Sequence, residues 1–482
     1  MRFAKTQATD RIDVATLVIF GASGDLTERK LAPALHRLFL SGDLSRATRV
    51  LGVGRTPLDA SEFRDRLARG VEAAGRASGD PRDLEAWPQT AAQFEYATLD
   101  PTRPQDLASL GDRLATRNVL FYFATPPDLV PDILRALDAS DLLASIAGWT
   151  RAVFEKPYGV DLETARDLDR LAHKLFSEQQ VYRIDHYLGK ETVRNVLAVR
   201  FANAVFEPLW RADHVDHVQI SVLENLSVGR RGASYDRLGA VRDVLQNHLL
   251  QLLALVAMDP PDSLDAESLR DAKVRVLDAV RPLSLADTVL AQYDGYANES
   301  GVAPRTQTPT YVAARLRIDC PRWEGVPFFV RTGKAMAVKT TEITLQFRDV
   351  RHPLFPPGSG PNRLSLRLQP DEGLHLRVAL KKPGFAMATR PASLRFDFGS
   401  ARVDLPDAYE RLLVDALNGD PSLFLRDDEI ETSWRIVSEL LGATPLPAIY
   451  ARDSLGPQTA KELLGPHRDW LIACRCAGEA DA

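Results

Sequence analysis

Thr16-Leu-Val-Ile-Phe20 runs directly into Gly21-Ala22-Ser23-Gly24-Asp25-Leu26. A short apolar run, a glycine stop and a helical pattern reaching about Leu40 describe a buried strand that turns sharply into a helix. Glycine lets backbone approach a pyrophosphate, and N–H groups at a helix start attract its charge. The spacing is not the full G-x-G-x-x-G, so a ligand-free strand-to-helix turn reads equally well from this stretch alone.

Working outward, Arg49–Val53 (ending at Gly54), Gln93–Tyr96, Asn118–Ala124 and Arg151–Glu155 are further strand candidates separated by helical patterns. Such alternation implies right-handed crossovers and a Rossmann-like, doubly wound parallel sheet. Past Tyr182 the pattern changes. Val215–Leu223, Val312–Ile318, Thr341–Phe347, Arg363–Leu368 and Leu374–Leu380 alternate apolar and polar residues as half-buried strands do, with long helical patterns such as Val241–Met258 between them. The expected architecture is α/β plus α+β. A nucleotide-binding domain spans 1–182, and a larger domain over 183–482 carries a mainly antiparallel sheet covered by helices on one face. Arg351–Pro361 reads as a Pro/Gly-rich surface loop, and no internal repeat is evident.

Composition bounds the function. The 482 residues suit two large domains, and 45% hydrophobic with 26% charged residues is the balance of a globular chain with a real core. A net charge of −5, from 60 basic and 65 acidic residues, argues against nucleic acid as a partner but leaves room for an anionic small substrate. Cys320, Cys474 and Cys476 give no disulfide framework and read as free thiols in a reducing compartment. Residues 1–13 lack an apolar run and no stretch of eighteen apolar residues occurs, so a cytoplasmic location with no membrane span is expected.

Cofactor choice is written at the second strand. An acidic residue there usually holds the ribose 2′-hydroxyl of NAD, but here the strand ends Gly52-Val53-Gly54-Arg55-Thr56, with no carboxylate before Asp59. Arg55 suits a 2′-phosphate, which favours NADP; the bland alternative is a solvated surface arginine.

Two segments carry the densest chemistry. Arg183-Ile-Asp-His-Tyr-Leu-Gly-Lys-Glu191 sets a carboxylate, an imidazole, a phenol and an ammonium between Asp185 and Lys190. If it begins a helix, His186 and Lys190 are i,i+4 neighbours able to meet one phosphate. In the apolar pattern Val241–Met258, Gln246, Asn247 and His248 stand out. A satisfied core histidine is the usual reading, yet a base working near neutral pH is best made from an imidazole paired with a carboxylate. Asp185 is the candidate partner. Asp243 is set aside for that role because five α-helical residues turn about 500°, leaving it about 140° off the face. It is expected to touch substrate.

These motifs resemble the glucose-6-phosphate dehydrogenase family along nearly the whole chain. GASGDL at Gly21, FEKPYG at Phe154, RIDHYLGKE at Arg183, RDVLQNHLLQLLALVAM at Arg242, VPFFVRTGKA at Val326, KKPG at Lys381 and AYERLLVDALNGDPSLF at Ala408 carry the likeness. RIDHYLGKE followed by QNHLLQ is highly specific, whereas EKP occurs in other sugar oxidoreductases. The resemblance implies His248 as general base and Asp185 as its orienting partner. It implies His186, Tyr187, Lys190 and Lys339 on the phosphate, and Lys156, Glu224, Asp243 and Lys334 on the sugar. Gly21, Ala22, Ser23, Gly24, Asp25, Leu26 and Arg55 would bind NADP, with Lys156 also reaching the nicotinamide end. Glucose 6-phosphate would be oxidised at C1 by hydride transfer, without a metal, in a homo-oligomer (dimer or tetramer). Departures exist: Thr27-Glu28-Arg29-Lys30 replaces a lysine run common in the family, Lys339 stands where some relatives carry arginine, and Tyr158 stands where phenylalanine is common.

Three rival readings are weaker. An NAD-dependent sugar oxidoreductase accounts for Lys156 but not for the His186/Lys190 pair. A catalytically silent sugar-phosphate sensor does not need Asp185 and His248. A zinc site at His214-Val-Asp-His217 fails because residues three apart on a strand face opposite ways, so both histidines are expected at the surface.

Overall fold

The computed structural model describes residues 14–79, 85–114, 118–352, 354–356, 359–370, 372–397, 407–442 and 446–472. Cys474, Cys476, the first thirteen residues and parts of the 351–361 loop lie outside them. Two compact units form. One comprises Met1–Lys190, Asp265–Glu267 and Pro406–Ile430; the other comprises Glu191–Leu264, Ser268–Leu405 and Glu431–Ala482. The first unit therefore runs past the expected boundary at Tyr182, because Arg183 and Ile184 still belong to its sheet.

That sheet contains β1 (Thr16–Phe20), β2 (Arg49–Gly54), β3 (Phe94–Thr98), β4 (Val119–Phe123), β5 (Thr150–Phe154) and β6 (Val181–Ile184). The order is β3-β2-β1-β4-β5-β6, all parallel, the doubly wound arrangement in which the strand order runs outward in both directions from the β1–β4 pair. Buried on both faces, β1 and β4 read as continuous apolar runs, as central parallel strands do. Far along the chain, the two-residue strand Phe424–Leu425 adds antiparallel to β6.

In the second unit lies a nine-stranded sheet. Its strands in chain order are β7 (Val215–Leu223), β8 (Thr288–Tyr293), β9 (Tyr311–Leu316), β10 (Phe328–Gly333), β11 (Thr340–Phe347), β12 (Arg363–Gln369), β13 (Gly373–Lys381) and β14 (Thr389–Asp397). Counting Phe424–Leu425 as β15, the ninth strand is β16 (Ala448–Tyr450), and the order is β14-β13-β12-β11-β7-β10-β9-β8-β16. Only the β7–β10 and β8–β16 pairs are parallel.

The alternation in β7 predicts one wet face, but the strand is buried on both. Its polar residues are satisfied internally. Gln219 donates to the Asp469 carbonyl at 2.9 Å and accepts from the Leu471 N–H at 2.8 Å, so the C-terminal segment covers that face. His217, expected at the surface, is 4% exposed. Its Nδ1 lies 2.7 Å from Asp216, and burial pushes its pKa down. His214 is exposed as expected.

Candidate active site

In the first unit the expected nucleotide-binding residues lie at the carboxyl ends of the parallel strands, where doubly wound sheets take their ligands. Gly21 ends β1 at the switch point with φ of +80°, and a Cβ there would sit 2.6 Å from the Ala124 carbonyl oxygen. The N–H groups of Gly21 and Ala22 donate to the Val53 carbonyl at 2.9 and 3.1 Å, locking the turn to the end of β2. Ser23 and Thr56 hydroxyls meet at 3.2 Å, and Tyr96 donates to the Thr56 carbonyl at 3.0 Å. Arg55 stands exposed between them in sequence, just past β2. Gly24, Asp25 and Leu26 carry the turn into a helix that opens with a wide π-helical turn at Thr27–Leu31, and Asp25 pairs with Arg29 at 2.8 Å.

At the end of β5, Lys156 is half-buried and joined to Pro157 by a cis peptide. Beside it Glu155 accepts the Tyr122 hydroxyl at 2.6 Å, and burial raises the Glu155 carboxyl above its ordinary range despite that bond. At the end of β6 the structure corrects the sequence reading: 186–189 are turns, and the helix begins only at Glu191. His186 and Lys190 are therefore not an i,i+4 helical pair. Instead the buried Asp185 caps the turn, its Oδ1 accepting the Tyr187 N–H at 2.9 Å and its carbonyl the Leu188 N–H at 3.0 Å. The Lys190 ammonium lies 3.8 Å from the Tyr187 ring centroid, and the His186 ring stacks parallel to Tyr409 at 6.5 Å. The turn thus presents its donors from a fixed loop.

Arg183, quoted in the motif but given no role, proves to anchor the end of β6 just before this turn. It is 1% exposed and bonds Glu178 at 2.8 and 3.0 Å, the Leu425 carbonyl at 3.3 Å, and Asp169. Its guanidinium lies 5.0 Å from the ring of Tyr158, whose hydroxyl donates to Asp169 at 3.2 Å. The tyrosine that departs from the common family residue is thus part of this ion-pair network.

In the second unit Val241–Leu249 is π-helical, continuing as the α-helix Leu250–Ala257. Hydrogen bonding from i to i+5 brings residues five apart toward one face. The α-helical argument that set Asp243 about 140° from His248 therefore does not hold here. His248 is 2% exposed, and its backbone N–H donates to the Asn247 side chain at 2.6 Å. The π-helix packs on β7 and β10, whose carboxyl ends carry Glu224 and Lys334. Lys334 Nζ lies 2.6 Å from Glu224 and 3.4 Å from Asp243, so three expected sugar contacts form one cluster. Lys339 stands exposed just before β11, outside that ion-pair cluster.

A family model described as the glucose-6-phosphate dehydrogenase NAD binding domain matches residues 18–195, and one described as the C-terminal domain matches 197–471. The glucose-6-phosphate 1-dehydrogenase of Treponema pallidum is 43% identical over 479 residues, covering 93% of each chain. That of Aggregatibacter actinomycetemcomitans is 42% identical, covering 88% of this chain and 90% of its own. A crystal structure of the Mycobacterium avium enzyme superposes with a TM-score of 0.84 at 36% identity over 95% of this chain and 99% of that one. A glucose-6-phosphate dehydrogenase in complex with glucose 6-phosphate gives 0.87 at 33% identity, over 97% and 100%. In sequence and in fold, over almost its full length, the chain belongs to the glucose-6-phosphate dehydrogenase family.

Proposed function

We infer that the chain oxidises D-glucose 6-phosphate at C1 to 6-phospho-D-glucono-1,5-lactone, with NADP as hydride acceptor. The observation that carries this reading is that glucose-6-phosphate dehydrogenase family models match both domains of the chain, over residues 18–195 and 197–471. The glycine turn at Gly21, closed to any Cβ, and the hydroxyls of Ser23 and Thr56 beside Arg55 fit a dinucleotide carrying a 2′-phosphate. Bound NADP supplies the nicotinamide carbon that receives the hydride. His248 takes the proton from the C1 hydroxyl, and Asp185 stabilises the imidazolium as it forms, the division of labour of a carboxylate–histidine pair. His186, Tyr187, Lys190 and Lys339 bind the phosphate; Lys156, Glu224, Asp243 and Lys334 bind the sugar hydroxyls. Absorbance at 340 nm with glucose 6-phosphate, and NADP or NAD in parallel, tests the reaction. A flat trace with both, from folded protein, rejects it.

Arg55→Ala is expected to weaken NADP binding by about 10–100-fold, the loss of a charge-assisted pair, and to leave NAD nearly unchanged. Equal losses on both would remove Arg55 from the 2′-phosphate.

We also propose that the chain acts in the cytoplasm as a homo-oligomer, dimer or tetramer. No helix among the described residues is long and apolar enough to cross a membrane. Leu380, Leu394 and Phe396 stand 49%, 61% and 54% exposed on the edge hairpin β13–β14, an apolar patch of the sort an interface covers. Phe396→Asp is expected to lower the sedimentation coefficient toward that of a single chain; an unmoved value would place the interface elsewhere.

A further inference from the structure

We propose that Tyr450 and Ala335 are positioning residues for the sugar-binding Lys334, held through a clasp made by residues 448–454; this rests on the reading of Lys334 as a sugar contact. A lysine ammonium rides on a flexible four-carbon stem, so its placement is only as good as the backbone beneath it. Lys334 is 4% exposed, and its backbone is tied at both ends: its N–H donates to the Thr310 carbonyl at 3.0 Å, and its carbonyl accepts the Tyr450 hydroxyl at 2.7 Å. Ala335 follows in the left-handed region at φ of +50°, a conformation costly for a residue with a Cβ. Such strain persists only where surroundings over-determine it.

The surroundings here do so. Ala335 N–H donates to the Leu226 carbonyl and its own carbonyl accepts Asp453 N–H, both at 2.9 Å. Met336 N–H donates to the Glu224 carbonyl at 2.9 Å and Ala337 N–H to the Ser454 carbonyl at 2.8 Å. Gly333, just before, admits no side chain, since a Cβ would lie 2.6 Å from the Tyr311 ring. The bonds fall on four successive residues, and Lys334 is the only one of them with a polar side chain. The bond from Met336 also pins Glu224, the partner of that lysine, so the clasp registers both members of the pair together. Below the ammonium, the Tyr235 ring centroid lies 5.3 Å away.

The experiment measures the dissociation constant of glucose 6-phosphate by calorimetry, together with KM, kcat and Tm, for wild type, Tyr450→Phe, Ala335→Gly and Tyr293→Phe. Tyr293 belongs to the same aromatic cluster, but its hydroxyl serves Glu299 at 3.1 Å and the Val228 N–H at 3.3 Å, not the main chain of Lys334–Ala337. Tyr450→Phe and Ala335→Gly are expected to weaken glucose 6-phosphate binding on the order of 3–10-fold, with KM for NADP unchanged. Ala335→Gly should do so at equal or higher Tm, because glycine relieves the left-handed strain while freeing the turn. Tyr293→Phe should lower Tm and leave sugar binding alone. Unchanged binding in both clasp variants, or an equal shift in Tyr293→Phe, overturns the proposal. A wild type that binds glucose 6-phosphate without turning it over counts against the catalytic reading, and the clasp is then judged on the dissociation constants. A wild type that does not bind it sinks both.

Discussion

Replacing His248 by asparagine is expected to leave glucose 6-phosphate binding in place and to lower kcat by about 10²–10⁴-fold. As hydride leaves C1, the hydroxyl proton on the same carbon must go to a base, and an amide cannot accept it at neutral pH. Asparagine keeps polarity and approximate size in a site that is 2% exposed, so the loss reports proton transfer rather than collapse. Calorimetry for binding and steady-state turnover check the two halves separately. A kcat equal to wild type would move the base elsewhere, and lost binding with it would make His248 a structural residue of the π-helix.

The second large effect is on stability. Arg183→Met removes a cation buried to 1% exposure from between the carboxylates of Glu178 and Asp169, leaving them His173, which pairs with both, and the Tyr158 hydroxyl on Asp169. Breaking a fully buried pair from one side costs about 3–5 kcal/mol; with His173 still beside both carboxylates and their side chains 21% exposed, a loss of about 1–3 kcal/mol is expected here. The urea midpoint of the transition that includes the first unit should fall accordingly. Since Arg183 lies two residues before Asp185, KM for glucose 6-phosphate should rise even where the protein remains folded. Arg183→Lys keeps the charge without the fork and should recover part of the stability. An unchanged midpoint in Arg183→Met would mean that the carboxylates find water at no cost.

Much of the fold was legible because burial imposes period on sequence. Thr16–Phe20 and Val215–Leu223 have the bounds read from their patterns, and the other named strands differ by one or two residues at their ends. Strands β6, β8, β10, β14 and β16 were not read from the sequence, and three further features were missed for identifiable physical reasons. Phe424–Leu425 is too short to carry any period, so the return of a distant segment to the first sheet left no mark. The π-helix at Val241–Leu249 has a hydrophobic pattern that reads as α, since backbone hydrogen bonding rather than side-chain type distinguishes the two. His217 looked wet because its strand alternates, but a segment some 250 residues later in the chain covers that face. Of the candidate site residues, chemistry singled out Asp185, His248 and Arg55, and the resemblance supplied Glu224 and Lys334. Tyr450 gave no signal, since what it contributes is hydroxyl contacts to the Lys334 carbonyl and to Thr310.

The visit of Pro406–Ile430 to the first unit sets a timetable for synthesis. A ribosome that has delivered residues 1–190 has made six parallel strands, yet β6 keeps an open edge until Phe424 and Leu425 emerge, more than two hundred residues later. An open edge is a template for foreign strands, and Arg183 lacks its Leu425 carbonyl throughout that interval. A fragment ending at Lys190, the natural cut for an isolated nucleotide domain, would be born in that unfinished condition and kept in it. Joining 406–430 to that fragment through a short linker is the rational way to obtain it as a free-standing module.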